Sequence, residues 1–406
     1  MVQGEGTADR YRWVILGVLW VTYIVVFLNR LSVGPLAPFF KDDLGITSTR
    51  VGLVMSAAAF GYMLSMLPIG WVVDKIGARW PLVAGEVIAG MCMIGLFFVT
   101  SYTALLTLMF ITGLGCGFLL PATSQGVIVW FPLRERATVM GLKQTAVNIG
   151  GIITAATLPS IALALGWRYG FLFLGILAIG IAVVALALYR DPGSFSNRSA
   201  GSAAADDAVS LFEILKSREI WLIACCGFCM TWIEMALIAH LVLYLTEVLL
   251  FGVVAAGGLL AMTEVAGAVA RPGGGLLSDR VFGGNRKTVF ILMAGTTSIM
   301  CSAVAFLGPY LSWLLYPALL LLGLGSISFG GVWLTLLSEF GGRLGAGKAV
   351  GLGGMITIAG GALGPPFFGF IVDTTHSYRW AWLSLAFGGA LCLMLLLFVK
   401  ESKRKI

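Results

Sequence analysis

Charge is what this chain has least of. Only 11% of its 406 residues are Asp, Glu, Lys or Arg, against about 25% in an ordinary soluble domain, too few to cover a water-facing surface. Histidine is scarcer still, at two residues, and neither H-E-x-x-H nor G-x-S-x-G occurs, which excludes the common zinc-protease and hydrolase signatures. The seven cysteines (Cys92, Cys116, Cys225, Cys226, Cys229, Cys301 and Cys392) all lie inside apolar runs. They form no extracellular disulfide framework and, lacking clustered His or Asp, no metal site. Cys226 and Cys229 spell C-x-x-C, but within a hydrophobic stretch where small-residue packing is the simpler role. What fills the chain instead is apolar: 59% of residues are hydrophobic and mean hydropathy is +0.97. The chain reads as an all-α integral membrane protein, with the lipid bilayer as its solvent.

A spanning helix needs about 20 apolar residues. Runs of that length fall at 13–38, 50–73, 81–100, 103–130, 138–163, 168–189, 219–246, 253–277, 288–308, 311–337, 349–373 and 378–400, which predicts twelve transmembrane helices. The first run is too long for a signal-peptide core and has no small-residue cleavage site. Between the sixth and seventh runs, DPGSFSNRSAGSAAADDAVS (191–210) has the Ser/Gly/Ala/Asp composition of a flexible linker. Leu211–Lys216 could follow it as a short surface helix. The expected organisation is an N-terminal six-helix bundle (1–190), a cytoplasmic linker (191–218) and a C-terminal six-helix bundle (219–406).

Lys and Arg orient such a chain. With a cytoplasmic N-terminus, only Lys41, Arg50, Arg168 and Arg379 of the 26 basic residues lie outside, and Arg30 and Arg271 fall within spans. Every other basic residue, Lys143 among them, is then assigned to the cytoplasmic side, and both termini are cytoplasmic. The formal charge of +7 is thereby a matter of topology, and a nucleic-acid partner loses its support.

The two halves repeat. Gly70-Trp-Val-Val-Asp74-Lys75-Ile-Gly77-Ala-Arg79 follows the second run, and Gly275-Leu-Leu-Ser-Asp279-Arg280-Val-Phe-Gly283 follows the eighth. Gly70 and Gly275, Asp74 and Asp279, and Lys75 and Arg280 each stand 205 positions apart. Such an offset implies parallel repeats about an axis along the membrane normal. The motif suits a conformational hinge built from Gly70, Asp74, Arg79, Gly275, Asp279 and Arg280: Gly allows close approach, Asp can cap a neighbouring helix, and the basic residues hold the cytoplasmic face.

The doubled G-x-x-x-D-[RK] loop in a six-plus-six chain resembles the major facilitator superfamily. In the N-terminal half, Leu28-Asn29-Arg30-Leu31-Ser32-Val33 and Trp130-Phe131-Pro132-Leu-Arg-Glu135-Arg136-Ala137-Thr138 are similar to the sialin-type anion:cation symporters. Asn29 stands where that family usually carries Asp, and Cys116 where a Glu is common. In the C-terminal half, Ala270-Arg271-Pro272-Gly273-Gly274-Gly275 resembles monocarboxylate and oxalate–formate transporters, whose eighth-helix Arg holds the substrate carboxylate. The acid often found four residues before that Arg is replaced here by Gly267. The resemblance implies a two-bundle secondary transporter of a small organic anion: a monocarboxylate such as lactate or pyruvate, or a related organic acid. It implies proton coupling, a monomer in the cell (inner) membrane, and no cofactor or metal. A sugar-acid symporter or an organic-anion exchanger is the alternative. A drug exporter of the same fold fits less well, because such exporters usually offer acids to cations and the conspicuous pair here is two arginines.

Charges inside spans are functional by default, since insertion costs about 2.5–3.5 kcal/mol each. Arg271 stands eight residues before Asp279, hence about 12 Å from the loop, near the midplane where such carriers bind substrate. Its guanidinium either forks a substrate carboxylate or pairs with Glu264 on the same helix face. Arg30 and Glu234 fall at matching depth in the repeat, as substrate group and partner or as a salt bridge holding the lobes. Glu264 and Glu234 are the proton-carrier candidates, because burial favours the neutral acid. His240 could titrate, although a hydrogen-bonded structural role suits its place near the end of a span. Glu86 reads as a structural partner of cytoplasmic arginines. Asn29, Gln144, Thr145 and Asn148 could line a cavity. The glycines at 113, 115, 117, 150, 151, 353 and 354 read as close-packing faces, and Gly360-Gly361-Ala-Leu-Gly364-Pro365-Pro366 as a kinked, gate-like stretch. Gly342-Arg-Leu-Gly-Ala-Gly347-Lys348-Ala349 nearly spells a P-loop, but Ala349 replaces the magnesium-binding Ser/Thr and no strand precedes it. With no ATPase signature, an ion or solute gradient supplies the energy.

Overall fold

A computed structural model describes residues 5–191, 215–307, 312–342 and 346–400. The expected linker and most of the short helix after it lie outside the described residues, as does part of the P-loop look-alike. Every described regular element is helical. Helices α1 (Glu5–Leu31), α2 (Val33–Leu44), α3 (Ser48–Ile76), α4 (Arg79–Gly95), α5 (Tyr102–Gly117), α6 (Leu119–Trp130), α7 (Leu133–Gln144), α8 (Ala146–Leu165) and α9 (Trp167–Leu188) make the first six spans. The rest are α10 (Arg218–Glu247), α11 (Val253–Arg280), α12 (Arg286–Leu307), α13 (Ser312–Leu322), α14 (Gly330–Gly341), α15 (Ala346–Thr375) and α16 (Tyr378–Phe398). Among the described residues eleven stretches are long and apolar enough to cross a membrane, and α3, bent by 46° at Pro68, makes a twelfth. Proline removes one N–H from the helical ladder and crowds the preceding turn, hence the bend. The prolines at 365 and 366 do not break α15, which runs unbroken through them.

The described chain divides into two compact units. One takes Met1–Phe39 and Ala57–Ala203, the other Phe40–Ser56 and Ala204–Ile406. The first residues of α3 therefore group with the second unit, and specific bonds hold them there. The Asp373 carboxylate of α15 accepts from the Ser48 and Thr49 backbone N–H groups at 3.0 and 2.8 Å, capping an N-terminus that would otherwise leave orphan donors. Lys41 reaches Glu247 at 2.6 Å.

With no water among the lipid tails, helices associate through close packing and small residues. In the first unit a Cβ on Gly115 would stand 2.7 Å from the Gly85 carbonyl, and one on Gly90 3.0 Å from that of Gly175. In the second unit, Gly360 and Gly364 of α15 press against the Phe228 and Trp232 carbonyls of α10. Gly113, Gly115, Gly117, Gly150 and Gly353 meet close neighbours as their spacing predicts, whereas Gly354 has open space where a Cβ would stand. Large apolar side chains such as Phe98, Trp313 and Phe387 point outward, which suits a hydrocarbon surround. All seven cysteines are free; Cys226 and Cys392 touch each other's backbone carbonyls across α10 and α16.

Candidate functional site

In the first unit, α1 carries Asn29 and Arg30. Asn29 is fully buried, and neither end of its amide has a hydrogen-bond partner. Arg30 lies with its guanidinium carbon 4.2 Å from the Tyr62 ring and 5.3 Å from that of Phe27, a cation–π seat. Tyr62 shares a hydrogen bond with Tyr23, and Tyr23 in turn lies 4.6 Å beneath the Lys143 ammonium. Two tyrosines thus connect two cations.

Lys143, which the charge distribution puts on the cytoplasmic side, is buried there: it is 2% exposed, donating to the Thr123 and Ser124 hydroxyls at 3.2 and 3.1 Å. The clue was available, because Lys143 falls five residues inside the apolar run 138–163. Among the described residues no carboxylate pairs with Arg30 or Lys143, so each keeps an uncompensated charge in a region where that is costly. Gln144 is exposed, Thr145 accepts from the Trp20 indole at 3.0 Å, and Asn148 is buried.

In the second unit Arg271 of α11 is held from two sides. Its Nε donates to the Ile327 carbonyl at 3.3 Å, and Nη2 lies 3.9 Å from Glu234 Oε1 of α10. Glu234, which the repeat offset set opposite Arg30, thus lies against Arg271. Ile327 closes a π-helical turn, Gly323–Ile327, inside the tenth span, and such turns free carbonyls from the regular ladder. Gly267 explains why no acid stands four residues before Arg271: a Cβ there would lie 2.6 Å from that of Ile327. The missing side chain lets the π turn approach and deliver its carbonyl to the arginine. Glu264 is 3% exposed on the same helix. His240 is fully buried, its Nε2 donating to the Pro365 carbonyl at 2.9 Å and its ring stacked 4.9 Å from Phe368. The carbonyl fixes the proton on Nε2; Nδ1 has no partner.

The repeated motif is handled differently in its two copies. Asp74 is exposed, and the helix cap expected of the motif acid comes instead from Asp191, whose carboxylate accepts from the Ala78 and Arg79 N–H groups, both at 3.2 Å. Gly77 makes this possible. Its φ is +86°, and a Cβ would stand 2.5 Å from Asp191 Oδ2. Arg79 Nη2 donates to the Leu186 carbonyl at 2.7 Å. Tyr189 beside this corner is buried, and burial first, then the charge of Asp191, holds its phenol well above the usual tyrosine range. In the second copy Asp279 bonds Arg286 at 2.6 Å, and Arg286 also reaches Glu339 at 3.7 Å. Gly70 and Gly275 have open space where a Cβ would stand, and Arg280 is exposed.

Glu86 also departs from expectation. The cytoplasmic arginines do not reach it: the side chain is fully buried on α4, and neither carboxyl oxygen has a partner. An apolar cavity lined by Val14, Gly17, Val18, Val21, Ile181, Val184 and Leu188 holds none of these polar residues. Among the described residues no group of three His, Cys, Asp or Glu side chains could hold a metal.

Comparison with known proteins places this geometry. The family model described as Major Facilitator Superfamily matches residues 19–355. The probable sulfoacetate transporter of Cupriavidus necator is 27% identical, covering 90% of this chain and 89% of that protein. The hexuronate transporter of Bacillus subtilis is 24% identical over 90% and 89%, and the probable galactarate/D-glucarate transporter of the same species is 23% identical over 96% and 91%. Among solved structures, a bacterial homologue of the human lysosomal transporter Spinster superposes with a TM-score of 0.81 at 16% identity, over 96% and 97% of the two chains.

Proposed function

Because the chain belongs to the major facilitator superfamily, a transporter fold rather than an enzyme, we propose that it carries a small organic anion across the inner membrane by alternating access, driven by protons. One observation carries the reading: Arg30 and Lys143 sit within the first unit with no carboxylate among the described residues paired to them. An interior cation without an internal counter-ion is a binding site for an external one. Asn29, with both amide ends unpartnered, adds a donor and an acceptor beside Arg30, and Asn148 stands on α8 of the same unit. Arg271 supplies a further guanidinium in the second unit.

The contact between Arg271 and Glu234 is loose at 3.9 Å. A substrate carboxylate offers the guanidinium a bidentate partner, displaces Glu234, and leaves an acid that takes up a proton as substrate binds. Glu264, buried on the same helix as Arg271, is the second acid able to serve. His240, bonded to a backbone carbonyl, is a packing post in this arrangement.

For the substrate, a sulfo-acid or sugar acid is favoured over lactate or pyruvate. The relatives above are named a probable sulfoacetate transporter, a hexuronate transporter and a probable galactarate/D-glucarate transporter, and two cations joined through Tyr62 and Tyr23 within the first unit suit an anion with more than one polar end. The test is uptake by proteoliposomes of radiolabelled sulfoacetate, glucarate, glucuronate and lactate, with and without an inside-alkaline pH gradient. Stimulated uptake of at least one of the first three is expected. Transport of organic cations with none of the anions would overturn the reading.

A further inference from the structure

The outer surface of the first unit carries an apolar groove of about 320 Å³ between α1 and α9, two helices that pack against each other. Val14, Gly17 and Val21 line it from α1, and Ile181, Val184 and Leu188 from α9. Val14 to Val21 and Ile181 to Leu188 are each seven helical steps, so each wall is about 10 Å long. The groove exists because Gly17 brings no side chain to its wall; a Cβ there would meet nothing within 4 Å. Val14, Val184 and Leu188 are exposed, so it opens to the surround, which for this chain is the bilayer.

One end of the groove is polar. The Tyr11 hydroxyl donates to the Leu188 carbonyl and ties α1 to the end of α9. Arg190 stands two residues beyond Leu188. Its guanidinium carbon lies 5.9 Å from the Tyr11 ring, and its carbonyl accepts from the Trp130 indole at 3.1 Å. On α1, Arg10 precedes Val14 by four residues and Gly17 by seven, the spacing of one helix face, which puts it at the same end. Both arginines are exposed. The neighbouring charges are engaged elsewhere: Arg12 meets Glu135 at 3.2 Å, and the Asp191 carboxylate accepts from the Ala78 and Arg79 N–H groups. Arg10 and Arg190 belong to the side that the Lys and Arg distribution makes cytoplasmic, where the leaflet carries anionic headgroups.

We propose that this groove binds one anionic phospholipid of the cytoplasmic leaflet, with an acyl chain between α1 and α9 and the phosphate held by Arg10 and Arg190. A lipid tail is as apolar in the bulk bilayer as in the groove, so burial brings no hydrophobic gain. What the groove adds is contact, because a concave wall touches the chain on several sides and dispersion sums over those atoms. What selects the head is the pair of guanidiniums, each able to offer two parallel N–H donors to phosphate oxygens. The bound lipid braces α1, the helix that carries Asn29 and Arg30, against α9. None of the groove residues takes part in the anion site described above, so lipid binding stands whatever the cargo.

Native mass spectrometry of the purified, delipidated protein tests the site, with phosphatidylglycerol and phosphatidylcholine of the same acyl chains as the two titrants. Wild type should bind one phosphatidylglycerol more tightly than phosphatidylcholine, by about fivefold for each arginine. Arg10→Gln and Arg190→Gln together should bring the two lipids level. Gly17→Leu places its side chain in the open space of the groove; it should leave Tm unchanged and remove the tight lipid, and Gly17→Ala should weaken it less. Equal binding of the two lipids by wild type, or a tight phosphatidylglycerol that survives Gly17→Leu, overturns the proposal. An unchanged preference in the double arginine variant overturns it too, whatever the behaviour of Gly17→Leu. A wild-type dimer that Gly17→Leu dissociates would make a second copy of the chain the occupant, and overturns it as well.

Discussion

At the scale of single residues, Arg30 and Lys143 have no paired carboxylate among the described residues, and Arg271 has one held loosely. Replacement of Arg271 by Lys keeps the charge but loses the planar fork and the Nε–H that meets Ile327. Arg271→Lys should weaken anion binding by about 1.5–3 kcal/mol, roughly ten- to hundredfold in Kd, with normal membrane insertion. Near-wild-type affinity in Arg271→Ala, measured by equilibrium binding, would remove Arg271 from the site. Arg30 and Arg271 were legible in the sequence because a charge inside a 20-residue apolar run is conspicuous. The burial of Lys143 was not conspicuous because it lies near the end of such a run, where a long side chain can normally reach the interface. Only packing shows that this one turns inward to Thr123, Ser124 and Tyr23. The identity of Arg271's acid partner was equally illegible, since no spacing along the chain brings α10 to α11.

At the scale of elements, hydropathy located the spans because the bilayer sets a single length for all of them. It could not reveal the π turn at Gly323–Ile327, which depends on how close α11 comes. That dependence gives a prediction. Gly267→Ala adds one methyl against Ile327 and should cost about 1–3 kcal/mol by overpacking, seen as a lower Tm in detergent. Anion affinity should fall with it, because the Ile327 carbonyl moves off Arg271; a lower Tm with unchanged affinity would separate the turn from the site. The corner at α4 gives another. Asp191 satisfies the first N–H groups of that helix, so Asp191→Ala should lose about 0.5–2 kcal/mol, as for loss of a helix cap. An unchanged Tm would show that the cap adds nothing to stability.

At the scale of the whole molecule, the sequence repeat marked the two motif loops but not their different wiring. Asp74 is exposed, while Asp279 pairs with Arg286 at a site where the aspartate side chain is 56% exposed, a pair worth little to stability. Among the described residues neither Asp74, which is exposed, nor Asp279, which pairs with Arg286, bonds Arg30, Lys143 or Arg271. Asp74→Asn and Asp279→Asn should therefore slow turnover in single-substrate uptake assays while leaving equilibrium anion binding nearly intact; a large loss of affinity at unchanged turnover would contradict a switching role.

The central claim is that interior cations hold an organic anion, and equilibrium binding of radiolabelled sulfoacetate, glucarate and glucuronate to purified wild type, Arg30→Gln and Lys143→Gln tests it most directly. At least one of the three anions should bind wild type, and each substitution should weaken that binding by at least about tenfold, the effect of losing one charge-assisted hydrogen bond, with Tm maintained. Wild-type affinity in both variants, or no binding of any of the three anions to wild type, would contradict the account.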